Sequence, residues 1–81
     1  MLPMTLRQMQ VFTAVVLHGS TVAAAGALGL SQSATSAALQ QLERVLATTL
    51  FERQGRALVP NAAGRTMLPQ ARNLLEQPQH L

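Results

Sequence analysis

Every fixed positive charge in this chain is an arginine: Arg7, Arg44, Arg53, Arg56, Arg65 and Arg72, with no lysine. A guanidinium presents a planar fork of donors that suits phosphate oxygens and the floor of a minor groove. A second group of polar residues, Gln32, Ser33 and Ser36, lies within five positions and can act on an anionic or base-edge partner. Glutamine can pair with adenine through two hydrogen bonds, and a serine hydroxyl can hold a phosphate. Other chemistry lacks its residues. The acids are three, Glu43, Glu52 and Glu76, each on a separate segment, and cysteine is absent. His18 and His80 share no plausible ligand set, and no glycine-rich phosphate loop occurs. No catalytic centre, metal site or cofactor is therefore expected. The net charge of +3 owes more to scarce acids than to dense bases, so it points only weakly to an anionic partner. A GC-rich coding sequence produces the same arginine bias.

These side chains must be held by a small scaffold. Eighty-one residues suffice for one domain, and no disulfide can staple it. So short a chain buries a modest share of its surface and gains from a partner. The hydrophobic 48% is mostly alanine, leucine and valine, with Phe12 and Phe51 as the only aromatics. That mixture favours helices. The run Val11–Leu17 is too short to span a bilayer and lacks the basic flank of a secretion signal, so a cytoplasmic protein with no membrane association is expected.

Thr5 can cap a first helix over about residues 6–18, with Leu6, Met9, Phe12, Val15 and Val16 on one face and Gly19 as its stop. Ser20 or Thr21 then caps a short alanine-rich helix over 22–28, and Gly29 supplies the turn. Ser31 caps a third helix to about Leu46, which turns Thr35, Leu39, Leu42 and Leu46 inward. Ser33, Ala37, Gln40 and Arg44 fall on its opposite side, which carries no acid. Residues 49–53 and 57–59, around Gln54-Gly55-Arg56, read as a β-hairpin that Pro60 ends. Asn61 caps a fourth helix to about Gln77, with Met67, Leu68, Ala71, Leu74 and Leu75 as its apolar stripe and Pro69 inside it. The residues from Pro78 onward are expected to fray.

The pattern Ala25-xxx-Gly29-Leu30 meets the demands of a helix-turn-helix. It places a small residue at the helix crossing, a glycine at the turn, and an apolar residue that tucks the turn into the core. By itself the pattern is common, but an acid-free second helix and a following hairpin make it specific. The segments Leu6-Arg7-Gln8-Met9-Gln10-Val11-Phe12, Gly19-Ser20, Ala24-Ala25, Leu28 and Ser31-Gln32 through Ser36 then appear in order. Leu42-Glu43, Leu50-Phe51-Glu52-Arg53, Arg56 and Ala63-Gly64 follow. In these residues the chain resembles the N-terminal domain of LysR-type bacterial transcriptional regulators, without gaps from about Met4 to Leu75.

The resemblance implies a mainly α winged helix-turn-helix: a three-helix core and two-stranded β wing over 1–60, then a long linker helix over 61–77. It implies sequence-specific binding of double-stranded DNA and regulation of transcription. Gln32 and Ser33 would reach base edges, Ser36 a phosphate, and Arg53 and Arg56 the adjacent minor groove. Arg7 and Ser20 would be secondary phosphate contacts. Ala37 falls in the same DNA-facing set, although many relatives carry a basic residue there and another at Ala23. Met67, Leu68, Ala71, Leu74 and Leu75 would form the face through which two copies pair. In the family two dimers often assemble as a tetramer, and the recognition helices read an inverted repeat of T…A pattern. Thr35, Ala47 and the pair Pro60-Asn61 also depart from common family residues, which are branched apolar, glycine and Leu-Thr.

Family members are several times longer, with an effector domain after the linker helix. None of that domain is in this sequence, so an isolated domain without a small-molecule effector site is the expected case. Glu43 and Arg44 are expected to be structural. Two other readings stay open: a helical protein-interaction module that only borrows the winged shape, and another winged-helix reader such as a molybdate-responsive regulator. The wing separates these, because a pure pairing module has no need of Arg53 and Arg56.

Overall fold

The computed structural model of the protein describes residues 5–76. The order of elements is α1 (Leu6–His18), α2 (Thr21–Leu28), α3 (Gln32–Leu46), β1 (Phe51–Gln54), β2 (Ala57–Pro60) and α4 (Ala62–Glu76). The expected fraying from Pro78 onward lies outside the described residues.

Local chemistry accounts for most helix ends. Thr5 caps α1 by accepting from the Gln8 backbone N–H at 3.1 Å, while the Gln8 side chain accepts from the Thr5 N–H at 3.1 Å. This reciprocal box satisfies two amides that have no partner within the helix. Gly19 ends α1 at φ +78° and Gly29 ends α2 at φ +68°, a left-handed backbone that glycine adopts without steric penalty. Between them Ser20, rather than Thr21, is the cap, and its Oγ accepts from Ala23 N. Ser31 caps α3 through Ala34 N at 3.1 Å. Asn61 Oδ1 accepts from Gly64 N at 2.9 Å and does the same for α4.

The wing is a two-stranded antiparallel sheet in which Phe51 faces Pro60 and Gln54 faces Ala57. The turn is therefore two residues, Gly55 and Arg56, with Gly55 at φ +61°. Pro60 belongs to the last pair instead of lying beyond the strand, which a strand with a free edge tolerates. Thr49 and Leu50 precede the pairing.

Two apolar clusters form the interior. Val11, Ala14, Val15, Ala24 and Leu39 join α1, α2 and α3, with Leu28, Leu30 and Leu58 packed around them. Met9, Phe12, Leu42, Leu50 and Ala71 join α1, α3, the connector before β1, and α4. The face of α1 is thus broader than expected: Val11 is fully buried, and Leu6, expected inside, is 48% exposed at the helix's first turn. Thr35 is completely buried, and its Oγ1 donates to Ser31 O at 2.9 Å, so a hydroxyl replaces a branched apolar side chain without an unpaired polar atom.

The stripe of α4 also differs from expectation. Ala71, assigned to a pairing face, has no exposed surface in the single chain. Met67, Leu68, Leu74 and Leu75 are half-buried against the same cluster. The helix lies along α1 instead of running free of the globular part, so its apolar side completes the chain's own core first.

Candidate nucleic-acid interface

Helix α3 divides cleanly between two surroundings. Thr35, Leu39 and Leu42 are buried, while Gln32, Ser33, Ala37, Gln40 and Arg44 are all exposed, and Ser36 is half-buried beside them. The exposed side has amide, hydroxyl and methyl groups and one guanidinium, a surface able to donate, accept and make apolar contact. The one acid of α3, Glu43, is half-buried and so not one of that exposed set, and its Oε2 accepts from Leu50 N at 2.7 Å. The structural role expected of Glu43 matches that geometry.

Three helices hold this surface in place. The close crossing of α2 rests on Ala24 and Ala25, both buried. The turn is closed by Leu30 N donating to Ala25 O at 3.0 Å, which directs the Leu30 side chain to the α1–α2–α3 cluster. Ser31 holds the first turn of α3 and lies 3.4 Å from the Ser33 hydroxyl.

Among the contacts that fix the wing, a main-chain bond and a ring contact tie it to α1 and its C-terminal corner. Leu58 N donates to Gly19 O at 2.8 Å, joining β2 to the corner between α1 and α2. The rings of Phe12 and Phe51 meet at 5.5 Å and 54°. Arg53 and Arg56 stand exposed on β1 and in the turn. Glu52 takes its hydrogen bond from Gln54 Nε2 at 3.2 Å. Arg7 is exposed on the first turn of α1, and the Ser20 hydroxyl, already a cap acceptor, keeps a proton to donate. Five of the expected contact residues, Gln32, Ser33, Ser36, Ala37 and Ser20, thus lie on the helix-turn-helix, Arg53 and Arg56 on the wing, and Arg7 on α1.

Sequence reasoning missed two features. The Thr5-x-x-Gln8 spacing announces a capping box and could have been read. The Leu58–Gly19 bond joins residues remote in sequence through backbone atoms and leaves no trace in residue type. Among the described residues, no group of three His, Cys, Asp or Glu side chains could hold a metal ion. No helix there is long and apolar enough to cross a membrane.

The sequence profile described as bacterial regulatory helix-turn-helix protein, lysR family, matches residues 6–65. Over 73 residues the chain is 53% identical to the HTH-type transcriptional regulator YeiE of Escherichia coli K12, covering 90% of this chain and 25% of that one. It is 44% identical over 73 residues to the HTH-type transcriptional regulator CbbR of Rhodospirillum rubrum, covering 90% and 24%. Among solved structures, the DNA-binding domain of CbnR in complex with DNA superposes with a TM-score of 0.85 at 40% identity, covering 90% of this chain and 84% of that one. VV2_1132, a LysR family transcriptional regulator, gives a TM-score of 0.85 at 32% identity, covering 93% and 26%. The chain spans about a quarter of the length of the curated relatives it matches.

Proposed function

The chain belongs to the lysR family of bacterial regulatory helix-turn-helix proteins, and on that premise we propose that it binds duplex DNA in a sequence-specific manner to regulate transcription. The observation that carries this reading is the exposed, acid-free side of α3 with two exposed arginines on a wing tied to the same core. A helix of this polarity fits a major groove, and the guanidinia reach the neighbouring backbone or minor groove.

Each residue then has a task. Gln32 and Ser33, in the first turn of α3, read base edges, and Ala37 offers a methyl group to the groove. Ser36 and Ser20 donate to phosphates and fix register. Arg53 and Arg56 neutralise phosphate charge along the minor groove, with Arg7 as an outer contact. With alanine at positions 23 and 37, the chain has fewer phosphate-seeking charges than many relatives, so its affinity falls less steeply with salt.

Two copies pair through α4 in this reading. Ala71 cannot contribute surface, so the exposed portions of Met67, Leu68, Leu74 and Leu75 form the contact. CbnR was crystallised with its target DNA as a full-length protein, and its binding domain superposes on this chain; that likeness supports a similar docking here. Selection of bound sites from random duplexes, followed by anisotropy titrations at several salt concentrations, tests the proposal. A recovered motif bound well above random sequence is expected; equal binding to every duplex overturns sequence-specific recognition.

A further inference from the structure

Leu50 lies where α3, the wing and α4 meet, and both its backbone polar groups are engaged. Its N–H donates to Glu43 Oε2 at 2.7 Å, and its carbonyl accepts from Asn61 N at 3.0 Å. Its side chain is 1% exposed, among Met9, Phe12, Leu42 and Ala71. Asn61 Nδ2 also donates to the neighbouring Thr49 O at 2.9 Å. Gly64 completes the fit: a Cβ there would collide with the Leu50 carbonyl and stand 3.0 Å from Pro60 Cβ. The connector is therefore gripped from both sides, and β1, which carries Arg53, starts at the next residue.

A carboxylate on the reading helix repels phosphate, so whatever Glu43 adds to DNA binding must come through geometry. Its bond to Leu50 is charge-assisted and short, the stronger class of hydrogen bond. We infer that Glu43 is a positioning residue: through Leu50 N it fixes the root of the wing to α3 and sets where Arg53 and Arg56 stand relative to Gln32, Ser33 and Ser36. The inference rests on the DNA-binding reading above.

Two charge-removing variants separate geometry from electrostatics. Glu43→Gln loses the charge but keeps an acceptor at the same reach, whereas Glu43→Ala loses both. Glu43→Asp keeps the charge but draws the oxygen back by one methylene. Binding is measured by anisotropy across a salt series, on a duplex selected by the unaltered chain. Glu43→Gln is expected to bind at least as tightly as the unaltered chain. Glu43→Ala and Glu43→Asp are expected to bind roughly tenfold more weakly, with a salt slope shallower by up to about two, as on losing both wing contacts. Added to the double change Arg53→Ala and Arg56→Ala, Glu43→Ala should bring little further loss.

A purely electrostatic role predicts tighter binding by both Ala and Gln variants and an unchanged Asp variant; that outcome overturns the inference. So does a full additional loss in the arginine-deficient background, which would show that Glu43 acts elsewhere than on the wing. If circular dichroism finds Glu43→Ala unfolded, Asp against Gln decides, and equal binding by those two rejects the positioning role. If the unaltered chain binds no duplex, the DNA-binding reading itself falls and takes this inference with it.

Discussion

Gln32 opens α3 with its side chain in solvent, which leaves the amide free to choose a partner. A bidentate pair with adenine discriminates by about 1–3 kcal/mol against a wrong base, whereas loose contacts to random DNA depend little on it. Gln32→Ala should therefore lower affinity for a selected site and barely change affinity for random duplex. Competition titrations report both, and an equal drop on the two would deny Gln32 a base-reading role. Arg53 and Arg56 act on the other term. Replacing both with alanine should flatten the dependence of log affinity on log salt by up to about two units, because each lost phosphate contact stops releasing a counterion. An unchanged slope would remove the wing from the interface and favour a module that only pairs.

Among the elements, α3 carries a small internal penalty at its end. Ala47, its C-cap, adopts φ +55°, and no other non-glycine residue among those described has positive φ. An L-residue there is disfavoured by about 1–2 kcal/mol, partly offset for glycine by its greater freedom in the unfolded chain. Ala47→Gly should thus raise stability in urea by about 0.5–1 kcal/mol, less than the full penalty for that reason. Ala47 is at the far end of α3 from Gln32, so DNA affinity should stay the same. A destabilised variant would mean that the Ala47 methyl makes contacts worth more than the strain it imposes.

For the whole molecule, the question is how far one copy suffices. Its helices share a core in which α4 takes part, yet Met67, Leu68, Leu74 and Leu75 remain half-exposed. If two copies cover that surface, unfolding is coupled to dissociation and the melting temperature rises with protein concentration. Differential scanning calorimetry over a hundredfold dilution, roughly, gives the check, since mass action then shifts stability by about 2.7 kcal/mol per mole of dimer. Leu74→Ala with Leu75→Ala should abolish the dependence. A melting temperature that ignores concentration in the unaltered chain would place pairing elsewhere or nowhere.

Residue order alone determined the element sequence and most helix ends, since caps and left-handed glycines act within four or five positions. Thr5, Ser31, Asn61, Gly19 and Gly29 each worked that way. It also determined which side of α3 avoids acid, because a helix's periodicity turns spacing directly into faces. Tertiary structure decided what spacing could not express. Val11 is buried because α1 meets neighbours on a broader arc than one stripe, and Leu6 is exposed because it opens the helix outside both clusters. Ala71 is enclosed because α4 lies along α1, and a stripe of apolar residues looks the same whether its own chain or another covers it. The bond from Leu58 to Gly19 joins main-chain atoms that every residue possesses, and the one from Leu50 to Glu43 pairs a main-chain N–H with a carboxylate seven positions away; both set the wing against the helices. Only folding selects which of these groups meet.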